Sequence, residues 1–150
     1  MNQPDSFSSL FAPETVKSET AANDTPWQVL LVDDEEDFLD IMAERMAARG
    51  MDVATAGSAE DALKMILAES YDAVIMDLMM PEMDGFKALK LFKESRPDLS
   101  IILLTANIPQ ESCLEAIRLG AMDVIEKPAD LNLLTRKIEE AKALRSKKII

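Results

Sequence analysis

The fold is decided by a short stretch near the start of the chain, VLLVDD, which runs from Val29 to Asp34. Four consecutive apolar residues suit a strand that is buried on both faces, as in a parallel sheet. Apolar residues at helical spacing follow, up to Gly50, and a glycine at that point suits a helix end. The stretch therefore predicts a strand followed by a helix, with two carboxylates at the junction.

The same strand–helix pattern recurs along the rest of the chain. Short apolar strands are predicted at residues 51–54, 73–76, 101–104 and 122–125, and each precedes an apolar stripe at helical spacing. The stripes are taken to include Ile41, Leu67, Cys113 and Ile117. Strands that alternate with helices indicate an α/β fold, in which a parallel sheet is covered by helices on both faces.

The two ends of the chain depart from this rhythm. Residues 1–26 are rich in Pro, Ser, Thr and Asn without a sustained period, which predicts a flexible leader. The domain is assigned to residues 27–145, and residues 146–150 are assigned to a short basic tail. With 150 residues, the chain is the size of one ordinary domain.

Composition excludes several functions. The chain has no histidine, so Ser-His-Asp catalysis and His-ligated zinc are ruled out. Its single cysteine, Cys113, cannot form an internal disulfide, which fits a cytoplasmic setting. The net charge of −12 opposes binding to nucleic acid, and the chain has no apolar run long enough for membrane insertion. A metal site must use oxygen ligands, which favours magnesium or calcium.

Polar residues follow four of the five predicted strands. They are Asp33-Asp34, Asp77, Thr105 and Lys127. Ligands of open α/β sheets bind beyond the carboxyl ends of the strands. Taken singly, each residue has an ordinary role as a helix cap, loop acid, turn residue or surface cation. Together they suit a phosphoryl group held on magnesium, or attack on phosphorus by a carboxylate.

These residues belong to longer motifs that identify a family. The motifs are the acid pair Asp33-Asp34, DLMMPEMDG from Asp77 to Gly85, Thr105-Ala106, and GAMDVIEKP from Gly120 to Pro128. In this order and spacing they resemble the receiver domain of bacterial two-component response regulators, of the stand-alone type that controls chemotaxis. The resemblance covers roughly Trp27 to Leu144. It implies a flavodoxin-like, doubly wound sheet of five parallel strands in the order 2-1-3-4-5.

The resemblance also implies a role for each site residue. Asp77 would be phosphorylated by a partner histidine kinase or phosphotransfer protein, and the product would switch binding of an unknown downstream protein. Mg²⁺ would be held by Asp33, Asp34, Asp77 and the backbone carbonyl of Met79, and the phosphoryl group by Thr105, Ala106 and Lys127. The domain would not be an enzyme, although it would assist its own phosphorylation and dephosphorylation. The Lys127–Pro128 bond is predicted to be cis.

One position departs from the family pattern. Val124 stands three residues before Lys127, where the family usually has Tyr or Phe. Because valine is small and stiff, it cannot copy the inward and outward positions of an aromatic ring. We therefore expect the phosphorylation chemistry to be intact and the route of the output signal to be altered.

Other interpretations remain open at this point. Asp33 and Glu35 have the spacing of the two acids in magnesium-dependent, aspartate-nucleophile phosphatases of the haloacid dehalogenase kind. A receiver fragment of a larger response regulator is a further alternative. A pseudo-receiver that binds partners without phosphorylation is opposed by the complete acidic set.

Overall fold

The computed structural model describes residues 26–80, 83–106 and 108–149. The predicted leader lies outside these residues apart from Pro26, which is exposed. Pro81, Glu82 and Asn107 also lie outside them.

Five parallel strands form the central sheet. They are β1 (Gln28–Val32), β2 (Asp52–Ala56), β3 (Ala73–Met76), β4 (Ile101–Thr105) and β5 (Asp123–Glu126). Their order across the sheet is β2-β1-β3-β4-β5, with every neighbouring pair parallel. The predicted fold class and the predicted strand order of 2-1-3-4-5 are confirmed.

Five helices connect and cover the strands. They are α1 (Glu36–Ala47), α2 (Ala59–Ala68), α3 (Gly85–Ser95), α4 (Gln110–Arg118) and α5 (Leu131–Ile149). Ser58 caps α2 by accepting a hydrogen bond from the backbone N–H of Asp61, as its sequence position predicts. Helix α5 runs through most of the residues assigned to a basic tail.

The sheet separates two apolar layers. Leu30 and Val32 of β1 point to the side that is covered by α2, α3 and α4, whereas Val29 and Leu31 point to the side that is covered by α1 and α5. Successive side chains of a strand point to opposite faces, so an uninterrupted apolar run is what a strand between two layers requires. This packing holds the carboxyl ends of the strands together at one edge.

The edges of three predicted helical stripes are exposed. Ile41, Leu67 and Ile117 are each about half exposed, at 51%, 56% and 46%. Each stands next to a buried residue of its own helix, about 100° around the helix axis, and the sheet covers only the narrower face. Cys113 is half-buried, not fully buried as its assignment to the apolar stripe predicts. The loop after Asp77 also contains an unpredicted antiparallel hairpin, Met79–Met80 with Met83–Asp84.

Candidate functional site

The site lies at the carboxyl edge of the sheet, where backbone hydrogen bonds fix the strand ends. The N–H of Asp77 donates to the carbonyl of Val32 at 3.0 Å, so the end of β3 is held beside the end of β1. The N–H of Lys127 donates to the carbonyl of Thr105 at 2.9 Å, which joins the ends of β5 and β4. The four predicted positions therefore lie at one edge, as the parallel topology requires.

Three carboxylates converge at this edge. Asp33, Asp34 and Asp77 each offer an oxygen, and these oxygens lie within 4.8 Å of one another. Asp33 and Asp77 are buried, whereas Asp34 is exposed. Only oxygen donors meet here, and a hard divalent cation such as Mg²⁺ takes a few carboxylates while keeping part of its water shell. The donor set therefore fits Mg²⁺.

Local turns orient the two buried acids. Oδ1 of Asp33 accepts the N–H of Glu35 at 2.9 Å, and Oδ1 of Asp77 accepts the N–H of Met79 at 2.9 Å. Each carboxylate thus uses one oxygen on its own loop. The Oδ2 atom of each is directed to the ammonium of Lys127 instead.

Lys127 is the cation of the site. Its Nζ donates to Oδ2 of Asp33 at 2.9 Å and to Oδ2 of Asp77 at 3.2 Å, and its side chain is 17% exposed. Burial lowers the pKa of Lys127, but the hydrogen bond and charge of Asp33, followed by those of Asp77, outweigh burial and raise that pKa above its usual value. The lysine is therefore held in its charged form.

Thr105 brings an unsatisfied hydroxyl to the same edge. The residue is fully buried, and its Oγ1 has no hydrogen-bond partner among residues 26–80, 83–106 and 108–149. A buried hydroxyl without a partner costs free energy, so such groups are uncommon unless a ligand satisfies them. A hydroxyl in this state is suited to donate a hydrogen bond to a phosphoryl oxygen.

Two neighbours of Lys127 were not predicted from the sequence. The ring centroid of Phe38 lies 4.4 Å from Nζ, a cation–π contact. Oε1 of Glu35 lies 3.7 Å from Nζ, but this glutamate is largely exposed. Phe38 looks like any other apolar residue of an amphipathic helix, so only the folded arrangement reveals its contact with the lysine.

The remaining predicted site residues stand close in sequence to Asp77, Thr105 or Lys127. Met79 is two residues beyond Asp77 and has an exposed side chain, and Ala106 is exposed directly after β4. Val124 is half-buried in β5 and packs against the layer of α2, α3 and α4. The Lys127–Pro128 bond is cis, as predicted.

Comparisons with known proteins agree on one family. A model of the response regulator receiver domain matches residues 29–139. Regulatory protein AtoC of Escherichia coli strain K12 is 36% identical over 121 residues, which cover 81% of this chain and 26% of AtoC. This chain therefore corresponds to about a quarter of that relative's length.

Solved structures give the same result. A receiver domain protein from Clostridium thermocellum superposes with a TM-score of 0.76 at 28% identity, over 83% of this chain and 99% of that one. The beryllofluoride-activated receiver domain of DrrB has a TM-score of 0.69 at 30% identity, over 78% of this chain and 97% of that one. Among the described residues, no helix is both long enough and apolar enough to cross a membrane.

Proposed function

This chain belongs to the response regulator receiver domain family, and on that premise we propose that Asp77 accepts a phosphoryl group in a Mg²⁺-dependent reaction. The donor is a partner histidine kinase or phosphotransfer protein. The phosphorylated domain then changes its affinity for a downstream protein partner in the cytoplasm. The observation that carries this proposal is the convergence of two buried carboxylates, one ammonium and one hydroxyl at the same edge of the sheet, the hydroxyl having no hydrogen-bond partner among the described residues.

The transfer step forms one bond and breaks one. An oxygen of the Asp77 carboxylate attacks phosphorus, and the bond between phosphorus and the leaving atom of the donor breaks. The electron pair stays with that leaving atom, which is an imidazole nitrogen in phosphohistidine and a carboxylate oxygen in acetyl phosphate. The product is an acyl phosphate on Asp77.

The other residues stabilise charge and geometry. Lys127, whose Nζ lies 3.2 Å from Oδ2 of Asp77, exchanges that hydrogen bond for one with an oxygen of the phosphoryl group that Asp77 carries. Thr105, whose hydroxyl has no partner in the part of the chain that the structure describes, donates a hydrogen bond to another phosphoryl oxygen. Asp33, Asp34, Asp77 and the carbonyl of Met79 would hold Mg²⁺, which when bound supplies positive charge against the oxygens of the phosphoryl group. Ala106, directly after Thr105, would lie beside the phosphoryl group.

Hydrolysis of the product uses the same groups. A water molecule attacks phosphorus, the bond to the Asp77 oxygen breaks, and the carboxylate is regenerated with release of inorganic phosphate. In this sense the domain assists its own phosphorylation and dephosphorylation, and it acts as a signalling module. The family match does not favour the phosphatase interpretation, which was based on Asp33 and Glu35. The side chain of Glu35 is also largely exposed.

The experiment is phosphorylation by a small donor. The full chain is incubated with acetyl phosphate, with Mg²⁺ or with EDTA, and its intact mass is measured. We expect one phosphoryl group on the wild type only with Mg²⁺, none on Asp77→Asn, and wild-type behaviour from Asp61→Asn, an exposed acid of α2. Equal modification of Asp77→Asn would contradict the assignment. Steady turnover of an unrelated phosphomonoester would favour the phosphatase instead.

A further inference from the structure

The ammonium of Lys127 has an apolar neighbour as well as acidic ones. Its Nζ lies 4.4 Å from the ring centroid of Phe38, well inside the roughly 6 Å over which a ring face attracts a cation. Asp33 and Asp77 contact the same ammonium through their Oδ2 atoms. The lysine is therefore held by two carboxylates and one aromatic face.

The carboxylates cannot hold the lysine equally in every state of the site. In the function proposed above, Asp33 and Asp77 are also ligands of Mg²⁺, and one oxygen of Asp77 forms the bond to phosphorus. Their charge is then shared with those partners, so their hold on Lys127 weakens. Glu35 is a poor substitute, since its Oε1 lies 3.7 Å away on a side chain that is 67% exposed and screened by water.

The ring of Phe38 is a contact that does not change in this way. An aromatic ring does not ligate Mg²⁺ and gains no bond when Asp77 is phosphorylated. Phe38 lies in the first turn of α1, directly after the turn that carries Asp33 and Asp34, and packs against the apolar layer of α1 and α5. The same local fold therefore fixes the ring and the acids relative to each other.

We propose that Phe38 is a positioning residue for phosphoryl transfer. Its ring keeps the Lys127 ammonium at the site while Asp33 and Asp77 bind Mg²⁺ and Asp77 carries the phosphoryl group. This role rests on the proposed function, since it has no meaning unless Asp77 is phosphorylated. It predicts that the apolar character of residue 38 is not sufficient and that the ring itself is required.

Two variants of Phe38 separate the effect of the aromatic ring from that of apolar bulk. Phe38→Leu keeps an apolar side chain and removes the ring, whereas Phe38→Tyr keeps the ring. Phe38 also lines an open cavity of about 460 Å³, together with Glu35, Glu36 and Asp37. Ile41→Ala changes an exposed residue of the same helix and serves as the control.

The first readout is the rate of phosphorylation by acetyl phosphate at saturating Mg²⁺. We expect Phe38→Leu to lower this rate about three- to tenfold, the effect of a partly desolvated cation–π contact. Phe38→Tyr should retain most of the rate, and Ile41→Ala should match the wild type. Equal rates in Phe38→Leu and the wild type would overturn the inference alone, whereas a wild type that is not phosphorylated would overturn the proposed function.

The second readout follows the lysine directly. Ring-current shifts of the Lys127 ε-methylene protons are measured by NMR in the metal-free, Mg²⁺-bound and beryllofluoride-bound protein. We expect the shift in all three states of the wild type and of Phe38→Tyr, and its loss in Phe38→Leu. A shift confined to the metal-free protein would show that the ring does not hold the lysine during the reaction, and the inference would be wrong.

Discussion

At the residue scale, the ammonium of Lys127 supplies positive charge against the carboxylates of the site. Lys127 faces Asp33 and Asp77, while Asp34 adds a third carboxylate at the same edge. Removing one partner from a buried charge cluster leaves the other charges without compensation, which costs more than the pair contributes when intact. Loss of the lysine and binding of a cation should therefore be coupled.

Lys127→Gln is expected to show this coupling. Without metal, the free energy of unfolding of the variant should be about 1–3 kcal/mol lower than that of the wild type. The loss is kept to this size because Lys127 is only partly buried. Added Mg²⁺ should stabilise the variant more than the wild type, since an equivalent positive charge has been removed from its site. Urea unfolding in EDTA and in Mg²⁺ measures both effects.

Lys137→Gln is the matched control for this experiment. Lys137 also pairs with an aspartate, Asp123, at 2.9 Å, but both side chains are partly exposed and neither belongs to the acid cluster. Its loss should leave the free energy of unfolding almost unchanged, because water screens the pair, and this result should not depend on Mg²⁺. An equal gain from Mg²⁺ in Lys127→Gln and in the wild type would contradict the prediction.

Thr105→Val tests whether the buried hydroxyl is kept for a ligand. The Thr105 hydroxyl has no partner among the residues described, so its replacement by a methyl group should stabilise the metal-free protein by about 1 kcal/mol or leave it unchanged. The same variant should lose part of the stabilisation that beryllofluoride and Mg²⁺ give the wild type. Chemical denaturation with and without beryllofluoride measures both. A variant that is clearly destabilised without ligand would show that the hydroxyl has a structural partner.

At the element scale, the loop between β3 and α3 is shaped by close packing at its end. Gly85 is the first residue of α3 and is buried, and a Cβ at this position would overlap the backbone carbonyl of Leu78. The end of the loop is thus packed against the residue that follows Asp77. Asp84 fixes the helix start by accepting the N–H of Phe86 at 2.9 Å.

Gly85→Ala is therefore expected to disturb the loop that carries Asp77. The added methyl group meets backbone atoms, with the carbonyl carbon of Leu78 at 2.9 Å, so the loop must shift at a cost of about 1–3 kcal/mol. Gly57→Ala is the control, because a Cβ there meets nothing within 4 Å. The midpoint temperature of thermal unfolding and the rate of phosphorylation should both be lower in Gly85→Ala. Equal behaviour of the two variants would show that the loop is not tightly packed.

Among the described residues, helix α4 buries fewer of its side chains than any other helix does. Its buried residue is Ala116, whereas α2 and α3 each bury three or more, and its N-terminus has no side-chain cap. Elements with little apolar burial open and shift most readily. We therefore expect a switch that starts at Thr105 to act on the loop after β4 and on α4.

The substitution at Val124 strengthens this expectation. A half-buried valine offers no large side chain that could change position on β5. Activation by beryllofluoride should perturb residues 105–112 more than residues 122–126, as measured by amide chemical shifts or hydrogen exchange. If the larger response fell on the strand around Val124, the usual family route would be operating without its aromatic residue, and the prediction would be wrong.

The elements also show which features a sequence can reveal. The strands are recognisable because an uninterrupted apolar run such as Val29–Val32 has few other uses, and no observed bound differs from the predicted one by more than two residues. The hairpin at Met79–Met80 was missed because two-residue strands carry no periodic signal. The exposure of Ile41 and the contact between Phe38 and Lys127 depend on which helix face meets the sheet, which spacing alone does not determine.

At the scale of the whole molecule, the two ends of the sheet use buried acids differently. At the amino end, Asp72 accepts the N–H of Gln28 at 2.8 Å and pairs with Lys142 of α5, so it ties the sheet to its last helix. At the carboxyl end, Asp33 and Asp77 accept hydrogen bonds from the ammonium of Lys127. The chain direction separates these roles, because Asp72 precedes the apolar run of β3 and Asp77 follows it.

In a chain this acidic, the free energy of unfolding should depend on pH at the alkaline end of the range. The net charge is −12 at neutral pH, so each group that ionises at high pH adds to repulsion within the fold. Tyr71 is buried, and its pKa is raised above the usual value by burial first and then by the charges of Glu69 and Asp52. The folded protein therefore holds the Tyr71 proton more tightly than the unfolded chain does.

The sign of the pH effect follows from this difference. Below the unfolded pKa of about 10, Tyr71 is neutral in both states and contributes no pH dependence. Above that pH the unfolded chain loses the proton first, so the free energy of unfolding falls as the pH rises. In Tyr71→Phe this component is absent, so the two proteins should differ by a constant amount up to about pH 9 and the variant should decline less steeply above about pH 10. Urea unfolding from pH 7 to 11 measures the difference, and parallel curves throughout would show that Tyr71 ionises as easily in the folded protein as in the unfolded chain.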